Sequence, residues 1–226
     1  MVRQQPAASS SARRRHDKMA VNARPAARTS TLKAIRKRKL ILEAAAGIMY
    51  RHGYAETTVE RIAHAAGTQA GSLYYHFDSR DHIVEEVINE SMARLATDVE
   101  ACLARIPSQA SCRERLMAVM RAQVASSCGT DEFMAAFRRV ANEIPQPLRE
   151  KVIAAPRSFG NLWRGLLEEA RDAGEIRTDL DLTVVRLLVI GSVIWTSSWY
   201  DSKGPKTPDE IAQILGQMFF EGMGRT

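Results

Sequence analysis

The chain is expected to be all-α, with a short three-helix head and a larger helical body, and three observations carry that expectation. No stretch sustains an alternation of apolar and polar residues, whereas apolar residues recur three and four apart through most of the chain. Helix breakers fall between the periodic segments, at Gly53, Gly67, Pro107, Pro145, Pro147, Gly174, Gly204 and Pro205. A length of 226 residues with 45% hydrophobic content suffices for a small head and a second domain with its own core.

Taken in order, residues 1–30 are rich in Ala, Ser, Pro and Arg without periodicity and read as a disordered basic arm, with Met19 as an alternative first residue. A first helix is expected over 33–52, with Ile41, Ala44, Ala45, Ile48 and Met49 inside and Gly53 ending it. Thr57 then caps a second helix, with Glu60 three positions on as capping-box partner, and Val59, Ile62, Ala63 and Ala66 form its inner face. Gly67 supplies a sharp turn, and a third helix buries Leu73 and Phe77 while Gln69, Ser72, Tyr75 and His76 face away. So short a helix is not stable alone, and the arrangement is that of a helix-turn-helix, whose second helix enters a major groove. The head is placed at 31–79 and the body at 80–226.

Ser79 caps a long helix over 80–105, with Ile83, Val87, Met92, Leu95 and Val99 as its apolar stripe. Further helices are expected over 112–127, 131–143, 147–173, 181–200 and 207–222, the third of them, 147–173, kinked or split by Pro156. The longest apolar run, 187–195, is interrupted by Gly191 and Ser192 and falls short of the roughly 20 residues of a membrane span, so no membrane partner is expected.

The charge of +6 is unevenly placed. Residues 1–40 hold twelve Lys and Arg against Asp17 alone, +11, which leaves 20 basic and 25 acidic residues, −5, for the rest. A basic end on a mildly acidic remainder suits a protein that meets phosphates at one end. Cys102, Cys112 and Cys128 show neither disulfide nor zinc spacing and read as reduced thiols in a cytoplasm. All five histidines, His16, His52, His64, His76 and His82, lie in the first 82 residues, so the body has no Ser-His-Asp or Cys-His device. Neither an enzyme nor a cofactor or metal site is expected.

The segment 57–77, TTVERIAHAAGTQAGSLYYHF, together with Tyr50-Arg51-His52-Gly53-Tyr54 before it and Arg80 after it, resembles the DNA-binding domain of the TetR family of transcriptional regulators. The likeness covers 33–87 and departs at Thr68, Gln69 and Ala70, which head the recognition helix, so the bases read are left open. It implies a double-stranded DNA operator as partner, contacted by Thr58, Gln69, Ser72, Tyr74, Tyr75, His76 and Arg80. Thr58, Tyr75, His76 and Arg80 are assigned to phosphates, and Gln69, Ser72 and Tyr74 to base edges.

Trp195-x-x-x-Trp199-Tyr200, Gly204-Pro205, Pro208-x-Glu210-Ile211 and Phe219-x-x-Gly222 are similar to the C-terminal ends of family members that respond to coenzyme A thioesters in steroid and fatty-acid breakdown. The resemblance implies a small apolar effector such as an acyl-coenzyme A thioester, with a multidrug-type sensor of apolar or cationic compounds as the alternative. Candidate effector residues are Met120, Phe133, Phe137, Arg138, Trp163, Trp195 and Trp199: soft or aromatic walls with one cation, the two indoles one turn apart on a helix face. Leu187, Ile190, Gly191 and Ile194, with Ile211, Leu215, Met218 and Phe219, keep helical spacing and are the candidate homodimer interface, since the last helices in the family pair as a four-helix bundle.

Overall fold

The computed structural model describes residues 25–154 and 157–223, and all regular structure among them is helical. There are two units, residues 1–39 and 40–226. What is described of the first is the opening of α1 (Pro25–His52), which starts eight residues earlier than the periodicity predicts because Pro25 is acceptable in a first turn and the residues after it are Ala-rich. The rest of the proposed basic arm, residues 1–24, lies outside the described residues.

The second unit continues with α2 (Val59–Ala65), α3 (Ala70–Tyr74), α4 (Arg80–Leu103), α5 (Cys112–Cys128), α6 (Glu132–Val140), α7 (Gln146–Ala154), α8 (Arg157–Asp172), α9 (Leu182–Trp199) and α10 (Pro208–Met223). The helix expected over 147–173, kinked or split by Pro156, is divided into α7 and α8, and Pro156 itself lies outside the described residues. Caps define most starts. Ser79 accepts from the His82 N–H, Asp131 from Met134 and Asp181 from Thr183 and Val184. Ser111 and Glu114 form a full capping box on α5.

Thr57 does not cap α2; Thr58 does, accepting from the Arg61 N–H at 3.3 Å. Thr57 is fully buried, and its hydroxyl donates to the Gly53 carbonyl at 2.7 Å, closing the turn that brings the chain out of α1. A second threonine is what makes both arrangements possible, and burial decides between them.

Two cores fill the unit. One joins Ile41, Ala45 and Met49 of α1, Ile62 of α2, Leu73, Phe77 and the first half of α4 to Phe133, Ala136, Val140, Ile144, Leu148 and Val152. The helix-turn-helix therefore shares its core with α6 and α7. The other joins Leu95 and Val99 of α4 to α5, α8, α9 and α10, with Met134 of α6 among them, and Phe137 packs against both. Thus α4 and α6 each belong to two cores. Within the second, the fully buried Trp163 indole donates to Gln123 Oε1 at 3.0 Å, so neither of these buried groups is left without a partner.

Helix α9 buries Val185, Val189, Val193 and Thr196 in that core. Its other side is apolar too, and with 18 residues of mean hydropathy 1.5 it is long and apolar enough to cross a membrane by length and composition alone. The apolar run 187–195 is bounded in the sequence by Arg186 and Thr196, both of which α9 includes, and Gly191 and Ser192 do not break it. They are helical here.

Candidate nucleic-acid interface

Helices α2 and α3 are set by Gly67, whose φ of +59° is a left-handed turn that side-chain-bearing residues rarely adopt. Leu73 and Phe77 are buried behind α3, which turns the remaining side chains outward. Tyr75 is 84% and Tyr74 60% exposed, the largest aromatic surfaces of the head, and Gln69 is exposed at the start of α3. Ser72 and His76 are half-buried, the His76 ring meeting Tyr75 edge-on at 5.1 Å. Five of the seven expected DNA residues thus lie within 69–76, on and around α3, and Thr58 is the N-cap of α2. Arg80 differs. Its guanidinium lies 4.2 Å from the centroid of the Tyr54 ring and donates twice to Asp81 Oδ1, at 3.0 and 2.8 Å, so part of its charge is already engaged.

Tyr54 ties this surface to the body. Its hydroxyl donates to Asp81 at 2.9 Å and its backbone N–H donates to Glu143 Oε2 at 2.8 Å, just beyond the end of α6. Burial and the Asp81 carboxylate raise the Tyr54 phenol above its ordinary pKa, so this hydroxyl keeps its proton and its role as donor. Gly53, next to it, has φ +80°, and a Cβ there would stand 2.5 Å from the Glu143 carboxylate. Glu143 is in turn paired with Arg139. Arg51 and Glu132 add a second, exposed pair between α1 and α6, at 3.9 Å. Nothing local in the sequence marks Glu143, which lies 89 residues from Tyr54.

The seven candidate effector residues are not gathered at one place. Met120 and Trp163 are buried in the second core, Phe133 in the first, and Phe137 packs against both. Arg138 is half-buried, donates to the Ser126 carbonyl at 3.3 Å and has its pKa lowered by burial, the nearby Cys128 and Tyr50 acting the other way. Trp195 and Trp199 are 66% and 55% exposed, so the indole pair does not wall a cavity within this chain. Their shared face is real, but the opposite face of α9 is the one that packs.

Among the candidate interface residues, Leu187, Gly191, Ile194 and Met218 are exposed, while Ile190, Leu215 and Phe219 are half-buried. Ile211 is 5% exposed within the second core and is unavailable to a partner. Val184, Leu188, Trp195 and Ile214 extend the exposed apolar face in its place.

Residues 41–87 match the model for bacterial regulatory proteins of the tetR family, and residues 109–223 match the tetracyclin repressor-like C-terminal domain. The chain is 28% identical over 189 residues to the HTH-type transcriptional repressor KstR2 of Rhodococcus jostii, covering 83% of this chain and 91% of that one. The solved structure of the superantigen PfiT is 30% identical with TM-score 0.70, over 80% of this chain and 95% of that chain. The transcriptional regulator FadR of Bacillus subtilis in complex with stearoyl-CoA has the same fold, with TM-score 0.72 at 21% identity over 82% and 98%. The two family matches fall on the helix-turn-helix and on the helical body in turn, and the chain belongs to the TetR family of DNA-binding bacterial regulators.

Proposed function

We propose that the chain is a repressor that acts in the cytoplasm as a homodimer, holds a palindromic operator through its two α3 helices, and releases it when an acyl-coenzyme A thioester or similar apolar effector binds the body. The observation that carries the proposal is the core shared by the helix-turn-helix and α6, with Glu143 fastened to the Tyr54 backbone. A ligand that moves α6 acts directly on the head. Two heads must stand about 34 to 36 Å apart to enter successive major grooves, and a body state that changes that distance loses the operator. The names of relatives support repression, through the repressor KstR2, and the effector class, through a regulator in complex with stearoyl-CoA. The exposed apolar face of α9 and α10 supports the homodimer, since a face of this size is normally covered.

The α3 surface makes a direct test. Tyr75→Ala is expected to weaken binding to operator and scrambled duplex alike while leaving the salt dependence unchanged, because an uncharged phenol holds a phosphate without releasing a counterion. Gln69→Ala is expected to relax discrimination at one base pair by about 1 to 3 kcal/mol while leaving scrambled DNA unaffected. Fluorescence anisotropy over a salt series reads both. Unchanged binding in both variants would remove α3 from the interface.

A further inference from the structure

An open groove follows the seam between α4 and α5. Its first stretch, about 600 Å³, lies between Ser91, Arg94, Asp98, Ala101 and Cys102 on α4, with Arg105 just past its end, and Ala122, Ala125 and Ser126 on α5, with Gly129 just past its end, and it stops at Asp131 and Met134 where α6 begins. Cys102 and Arg105 also line its continuation, about 540 Å³, which runs over Ile106 and Pro107 to Arg113, Met117 and Arg121. The two stretches differ in chemistry. Small side chains form the α5 wall of the first, and the cation toward its α6 end is spent: Arg94 bonds Asp131 at 2.8 Å and Glu90 at 3.0 Å and lies 3.9 Å from the centroid of the Phe133 ring.

The second stretch holds three exposed guanidinium groups. Among the described residues, Arg121 pairs with Asp209 at 2.9 Å, the Arg113 guanidinium meets only the Phe220 ring, 4.9 Å to its centroid, and the Arg105 side chain has no partner. Two acids beside them are engaged elsewhere: Glu114 accepts from the Ser111 N–H at 2.8 Å and its hydroxyl at 2.9 Å, and Glu175 accepts from the backbone N–H groups of Cys112 and Arg113 at 3.2 and 2.7 Å. Two guanidinium groups without carboxylates facing an apolar floor suit a phosphate-bearing group, for which arginine is the preferred donor.

We infer that this seam is the effector site, taking a flexible apolar chain along the small residues of α5 and the phosphates of its head group between Arg105 and Arg113. The inference rests on the thioester reading above for the ligand class and adds the site and its polarity. The chain end then reaches Asp131 and Met134, where α6 begins, so entry of a long chain competes with the Arg94 to Asp131 contact that holds α6 to α4. Each further methylene buried there tightens binding by about fourfold, up to the length of the groove.

The probes are stearoyl-coenzyme A, coenzyme A alone and stearate, titrated calorimetrically against the full chain and two variants altered only at exposed positions. Arg105→Gln with Arg113→Gln is expected to weaken stearoyl-coenzyme A and coenzyme A by tenfold or more and to leave stearate unchanged. Ala125→Leu, which fills the chain stretch, is expected to weaken stearoyl-coenzyme A and stearate and to spare coenzyme A. Thermal melts matching the wild type certify the fold of each. Tight stearoyl-coenzyme A binding that neither variant alters would overturn the site while leaving the effector reading intact, and absence of any thioester binding by the wild type would overturn both. Binding altered as expected, but without operator release, would uphold the site and overturn the effector reading.

Discussion

Leu187→Glu is expected to convert a dimer into a monomer at micromolar concentration and to lower operator affinity by at least a hundredfold. Leu187 is 58% exposed in the single chain, beside Leu188 at 59%, Ile194 at 51% and Trp195 at 66%. A glutamate there costs the isolated fold almost nothing, because the carboxylate remains in water. In a dimer closed over this face the same carboxylate is buried without a partner, at a cost of several kcal/mol per protomer. The cost is incurred twice, since a two-fold interface presents the residue from both sides. Sedimentation equilibrium of wild type and variant reads the association, and anisotropy reads the operator. A wild type that is already monomeric, or a variant that stays dimeric, would remove α9 from the interface. Leu215→Glu is a poorer test, because Leu215 is half-buried and packs on the second core.

The second large effect is expected at Gly53. Its φ of +80° costs a side-chain-bearing residue about 1 to 2 kcal/mol, and the Cβ of an alanine would push away the Glu143 carboxylate, forfeiting a charge-assisted hydrogen bond worth about 1.5 to 3 kcal/mol. Gly53→Ala should therefore lower the melting temperature by about 5 to 15 °C in a chain of this size and weaken operator binding as the head loses its tie to α6. Glu143→Ala alone should weaken operator binding with a smaller loss of stability. In the Glu143→Ala background the cost of Gly53→Ala should shrink to its backbone part, and this coupling is what a double-mutant cycle measures. Additive costs would show that the carboxylate contact does not matter.

The helices and the turn at Gly67 were legible because local signals fix them: a left-handed glycine, a capping serine, apolar residues one turn apart. The head surface followed, since burying Leu73 and Phe77 leaves Tyr74 and Tyr75 nowhere to go but outward. Where the sequence offers two equivalent residues or two apolar faces, spacing does not choose. Thr57 and Thr58 both fit a cap, and only the buried bond to the Gly53 carbonyl assigns them. On α9 both faces are apolar, so Trp195 and Trp199 share a face without its direction being fixed, and the β-branched Val185, Val189 and Val193 took the core. Ile211 and Leu215 sit one turn apart, and tertiary packing alone buries the first more deeply than the second. The contacts that carry coupling, Tyr54 to Glu143 and Arg94 to Asp131, join residues 89 and 37 apart and leave no local trace. Arg113, Met117 and Arg121 did keep helical spacing, but the meaning of that face comes from Arg105 across the seam.

The central claim, a body ligand that governs an operator through α6, is tested most directly by operator anisotropy during titration with stearoyl-coenzyme A. The account predicts a stable complex without ligand, release at saturating thioester, and a more effective release by long acyl chains than by short ones. A complex that persists at saturating thioester, or one released only by cationic dyes, would contradict it.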